Sequence, residues 1–127
     1  LPILPGVGQG AMGIECCASN RTMIDIVRRL DHAETRRAVD LERYFAKKIN
    51  ASCQMAVGCL VKGKGFPPEG AVPAYGGDQP LAEGIRGEGL GRVEFMIECF
   101  WEKNGKYVRE ARTGLWEEGE RVVDEMV

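Results

Sequence analysis

The dipeptide Asn104-Gly105 limits the fold more than any other feature of this chain. Both residues tolerate the positive φ angles of a type I′ turn, whose twist matches that of two antiparallel strands. The residues before it alternate. Val93, Phe95, Ile97, Cys99 and Trp101 take one face, and Glu94, Met96, Glu98 and Phe100 the other. A period of two predicts a strand with one apolar face, which returns after the turn over Lys106 to Thr113. Leu115 to Val127 reads as a closing helix, with Leu115, Gly119, Val122 and Met126 as its inward stripe.

Upstream the period changes. Ala38, Leu41, Phe45 and Ile49 fall on one stripe of a helix that ends near Asn50. Asp31 is its expected N-cap, with Glu34 as the answering residue of a capping box. Gln54 to Val61 alternates as a strand, with Met55, Val57, Cys59 and Val61 on one face. Met12 to Cys17 reads as a short strand. Arg21 to Leu30 reads as a helix capped by Asn20, with Ile24, Val27 and Leu30 on one face. Residues 62–92, rich in Gly and Pro and without a sustained period, read as a long loop. The order predicts an α+β fold, α-β-β-β-α, with a three-stranded antiparallel sheet and helices packed on one face. A strand-helix segment precedes it.

At 127 residues the chain fits one compact domain with a modest core. A net charge of −2 offers no basic footprint for nucleic acid. No run of 18 apolar residues is present, which speaks against a transmembrane helix. The opening "LPILPGVGQG" has neither a secretion signal nor an initiator methionine, and is expected to be cut from something longer. The five cysteines include no C-x-x-C pair, so a reducing, cytoplasmic setting is expected rather than a disulfide scaffold. Zinc wants paired ligands at short spacing, usually with histidines, and His32 is the single histidine; no metal is expected.

Two stretches carry chemistry. "GVGQGAMGIE", Gly6 to Glu15, spaces glycines around Gln9. Such a turn lets backbone amides approach a ligand, but composition alone favours a flexible connector, and it is no nucleotide fingerprint. Cys53 lies between a helix end and a strand start, beside Ala51, Ser52 and Gln54. The residues alone leave it a displayed nucleophile, a metal ligand or a small core residue. Its small neighbours leave room for a bulky adduct. Lys47 and Lys48 favour a thiolate, whereas a helix C-terminus opposes one. Cys59 and Cys99 instead fall on inner strand faces, as small hydrophobes do. His32 is read as a helix-start residue and Glu42 as structural.

Together these stretches resemble porphobilinogen deaminase, also called hydroxymethylbilane synthase. The family's "P-x-VGQGA-x-GIE" appears as "PGVGQGAMGIE", Pro5 to Glu15. Its "ER" pair and "GGCQVPIG" appear as Glu42-Arg43 and "ASCQMAVG", Ala51 to Gly58, and "LDHAETRRAV" resembles its helix start. Ala51-Ser52 replaces the family's two glycines, so this turn is expected to take another shape.

The resemblance implies a three-domain enzyme. Residues 1–30 would return to its first domain, and 31–127 would form a C-terminal cofactor-attachment domain with a long insertion at 62–92. It implies a dipyrromethane cofactor held by Cys53 through a thioether, and growth of the pyrrole chain by four porphobilinogen units to hydroxymethylbilane. Gln9 and Gly10 match the substrate-facing segment, and Arg43 matches the family's "ER" arginine, expected either to tie this domain to the rest of the enzyme or to stand solvated on its helix face. The catalytic aspartate belongs to the missing first and second domains. The chain alone is therefore expected to hold no catalytic residue, to carry the attachment site and not to catalyse. A double-stranded-RNA-binding-like module shares the α-β-β-β-α order and is the competing reading, opposed by the acidic closing helix "LWEEGERVVDEMV".

Overall fold

A strand must satisfy its amides against a neighbour, and a tight turn supplies that neighbour at once. The computed structural model describes residues 3–63 and 94–127. In it Asn104 and Gly105 take φ values of 54° and 74° and join β2 (Glu94–Lys103) to β3 (Lys106–Leu115). The hairpin stays in register from Lys103 opposite Lys106 to Glu94 opposite Leu115. On the other edge of β2, β1 (Gly58–Gly63) pairs antiparallel, with Cys59 facing Cys99 and Val61 facing Ile97. The sheet order is β1-β2-β3.

Alternation decides which face is covered. Phe95, Ile97, Cys99 and Trp101 are buried together with Cys59 and Val61. Against them lie α2 (Ala33–Lys48), through Ala38, Leu41 and Phe45, and α3 (Gly119–Met126), through Val122, Val123 and Met126. Phe45 meets Trp101 edge to face, with centroids 5.4 Å apart. Each such side chain contributes about 1.5–3 kcal/mol by leaving water, so apolar burial is what fixes the helices to the sheet. The opposite face stays open, with Phe100 stacked on Tyr107 at 5.3 Å. The fold is α+β, a three-stranded antiparallel sheet with helices on one face, as the sequence periods predict.

Several boundaries are corrected. Met12 to Cys17 form no strand; they are exposed, and no described strand lies beside them to accept their hydrogen bonds. The first helix, α1, covers Arg21–Arg28 and ends before Leu30, and none of its residues is buried. Asn20 does cap it, its side chain accepting from the Met23 amide at 3.0 Å. The N-cap of α2 is His32, not Asp31. Its Nδ1 accepts from the Thr35 amide at 3.3 Å, while Asp31 is drawn to the Arg36 guanidinium at 2.6 Å. The strand expected from Gln54 begins only at Gly58, because the preceding residues close a turn. β3 continues to Leu115, and a 3-10 turn over Trp116–Glu118 leads into α3. Of the expected loop 62–92, Lys62 and Gly63 belong to β1; the rest, with Val93, lies outside the described residues.

Candidate functional site

The end of α2 sets where Cys53 stands. Asn50 takes a left-handed φ of 51°. The Ala51 amide then donates to the Ala46 carbonyl at 2.9 Å and the Asn50 amide to Lys47 at 3.2 Å. This closes the helix carbonyls in the way a C-terminal glycine often does. Asn50 and Asn104 are the non-glycine residues with positive φ among those described. Ala51 and Ser52 therefore need no strained backbone, since Asn50 takes the left-handed step just upstream. The Met55 amide next bonds the Ser52 carbonyl at 3.0 Å, and Cys53 sits at the first corner of that turn. Its thiol is free and exposed, and Ala51, Ser52, Gln54 and Ala56 around it are exposed as well.

The other cysteines differ. Cys59 and Cys99 are 1% and 0% exposed, with Sγ atoms 3.2 Å apart. Hydrogen bonding to Cys99 and then burial push the Cys59 thiol far up, so it is no nucleophile. Cys17 is exposed, and its hydrogen bond to the Ser19 hydroxyl at 3.0 Å holds its thiol below the ordinary value. The sequence singled out nothing at Cys17.

The glycine segment forms a compact turn. The Gln9 amide donates to the Gly6 carbonyl at 3.0 Å, and the Ala11 amide to Gly8 at 3.2 Å. The Gln9 side-chain oxygen accepts from the Gly6 amide at 2.8 Å. Gln9 and Gly10 are exposed, but the Gln9 oxygen closes its own turn.

Two devices join this turn to the start of β1. The Cys59 amide donates to the Pro5 carbonyl at 3.0 Å, and the Glu42 carboxylate takes the Gly8 amide at 2.7 Å and the Val61 amide at 3.0 Å. The structure thus brings the glycine segment and the strand that follows Cys53 to one place. Glu42, expected as structural, is so, and the link it makes between two backbones is what the sequence reading did not specify. The available signal was its position, four residues after Ala38 and three before Phe45, inside the apolar stripe.

Arg43 points elsewhere. It is exposed and lines a cleft of about 520 Å³ with Ala11–Ile14, the end of α1 and the outer face of α2, where Arg28, Arg36, Asp31 and Asp40 also lie. A second cleft of about 360 Å³ lies beside the Cys53 turn, lined by Leu4, Ala56, Val57, Gly58, Phe100 and Arg109. Arg109 there is held by Glu98 at 2.7 Å. No described helix is long and apolar enough to cross a membrane.

No protein-family model matches the chain. It is 35% identical over 88 residues to the porphobilinogen deaminase of Pelotomaculum thermopropionicum, a match covering 68% of this chain and 28% of that protein. It is 36% identical over 92 residues to the porphobilinogen deaminase of Listeria welshimeri, covering 71% and 30%. With that of Desulforudis audaxviator, identity rises to 46% over 57 residues, covering 45% and 18%. The chain thus spans at most about a third of the length of the relatives it matches. Agreement of this extent across three organisms identifies the chain as a member of the porphobilinogen deaminase family, similar to its C-terminal portion.

Proposed function

We propose that the full-length protein is a transferase that joins four porphobilinogen molecules, with release of ammonia, into hydroxymethylbilane, and that this chain carries its cofactor-attachment site. Residues 31–127 form the attachment domain, and residues 1–30 return to the first domain of the same enzyme, apart from residues 5–8, which β1 and Glu42 hold. The observation that carries the reading is the free, exposed thiol of Cys53 at the corner of a turn, in the segment that matches the family's cysteine motif.

The surroundings of Cys53 fit a permanent adduct. A thioether to a bulky pyrrole needs a soft nucleophile with open space around it. Small, exposed Ala51 and Ser52 leave that space, whereas Cys59 and Cys99 are sealed in the core. Dipyrromethane, when bound, supplies the pyrrole carbon from which the chain grows. Cys53 would give up its thiol proton and hold the primer through Sγ, bonded to the methylene carbon from which ammonia has left. Gln9 and Gly10, both exposed, form part of the substrate-facing surface. The substrate's carboxylates call for arginines, and in the family most of these, with the catalytic aspartate, belong to the first two domains. Arg43 contacts one of those domains. With its free thiols the protein works in the cytoplasm.

Intact mass of the full-length protein, with and without Cys53→Ser, tests this directly. The parent should exceed its sequence mass by two linked pyrrole units and the variant should not. Equal, unmodified masses would end the proposal.

A further inference from the structure

Glu42 is 6% exposed and shares the inward face of α2 with Ala38, Leu41 and Phe45. Packing alone would favour an apolar residue there, because a buried carboxylate is costly unless donors meet it. Its donors come from two distant parts of the chain. Oε2 accepts from the Gly8 amide at 2.7 Å, and Oε1 from the Val61 amide at 3.0 Å. One rigid group therefore sets the separation between two backbones, which an apolar side chain cannot do.

We infer that Glu42 is a positioning residue, holding the Gly6–Gly10 turn in a fixed place relative to the strand that follows the Cys53 turn. The inference rests on the reading that Cys53 carries the primer and that the glycine turn faces substrate. Neighbouring contacts act in the same direction. The Cys59 amide bonds the Pro5 carbonyl at 3.0 Å, and Gly8 takes a φ of 67°, a conformation open to glycine that lets its amide meet the carboxylate. Charge-assisted bonds to backbone amides are short and strong, so the link is stiff. The glycine turn itself is otherwise closed by bonds among its own residues. Without Glu42 it would remain a turn but lose its fixed relation to β1.

Glu42→Gln in the full-length holoenzyme tests this, because it keeps the shape and one acceptor while setting an NH2 group against a backbone N–H. The intact mass should still include the primer. Amide exchange at Gly8 and Val61 should quicken by about tenfold or more, with Ile97 and Cys99 in β2 unchanged, and kcat/KM should fall by about tenfold. Unchanged exchange at Gly8 and Val61 would overturn the inference. So would exchange that quickens equally through β2, or an unaltered kcat/KM in an active parent. The parent protein gives a reading even if the variant does not fold. Its Gly8 amide should exchange slowly for a surface turn, and exchange at an open-chain rate would also overturn the clamp. A parent without deaminase activity would end the functional reading alone, and exchange at Gly8 and Val61 would still decide the role of Glu42.

Discussion

Gly58 sits where Leu4 and Pro5 cross the beginning of β1. A Cβ added there would lie 2.8 Å from the Leu4 Cβ and 3.3 Å from the backbone oxygens of Leu4 and Pro5. Two of those atoms are backbone, so relief would require the whole segment to move. Gly58→Ala should therefore destabilise the protein by about 1–3 kcal/mol, the usual range for forcing extra carbon into a packed site. Urea unfolding would register it as a lower midpoint at constant slope, and an unchanged midpoint would show that Leu4 and Pro5 do not press on this residue. The same scale separates the cysteines. Exposure and small neighbours make Cys53 available, whereas burial and a paired sulfur silence Cys59.

Between elements, α2 and α3 are joined at their solvent edge by one acidic group. Asp124 accepts from Lys48 at 2.8 Å and from the Tyr44 hydroxyl at 3.0 Å. The Lys48 hydrogen bond holds the Asp124 carboxyl below its ordinary value of 3.8. The bond to Asp124, then that to Tyr44, raises Lys48 above 10.5. The sign follows by linkage. The carboxyl's contribution is complete above its unfolded value and is lost as pH falls through the lowered folded one. The lysine's contribution is complete below its unfolded value and is lost as pH rises through the raised folded one. Melting curves of the parent and Asp124→Asn should differ by a gap that is widest between those limits, closes at both ends and narrows with salt. A gap that survives unchanged in acid would assign the effect to something other than this bridge.

Elements were legible in the sequence where local chemistry and burial agree. Asn104-Gly105 forms its turn because both residues reach positive φ without help, and the stripes of α2 and α3 are buried at the spacing their side chains dictate. The misses arise where partners decide. Asp31 could cap α2 by type, but Arg36 competes for it and His32 takes the place. Met12 to Cys17 alternates well enough for a strand, yet pairing is a property of two segments. Gln54 to Val57 has strand composition, yet the turn at Ser52 to Met55 takes its first residues. Cys53 stood out as a residue between elements, but only geometry shows that Asn50, rather than a glycine pair, turns the chain toward it.

At the scale of the whole molecule, apolar surface is unevenly distributed. Ile3, Met12, Ile14, Met23, Ile26 and Leu30 are all exposed, Met12 at 91%, while residues 38–61 and 95–126 share one core. A helix as short as α1 is marginal in water unless its apolar side is covered. In the proposed division, the first domain of the enzyme provides that cover and also the catalytic aspartate. The 127-residue chain, given porphobilinogen without the rest of the enzyme, should then neither consume it nor release ammonia, whatever the state of Cys53. In that division the thiol holds the primer, but Sγ has no means of deaminating the next substrate. Ammonia release by the chain alone, removed by Cys53→Ser, would place the catalytic machinery within these residues and overturn the division.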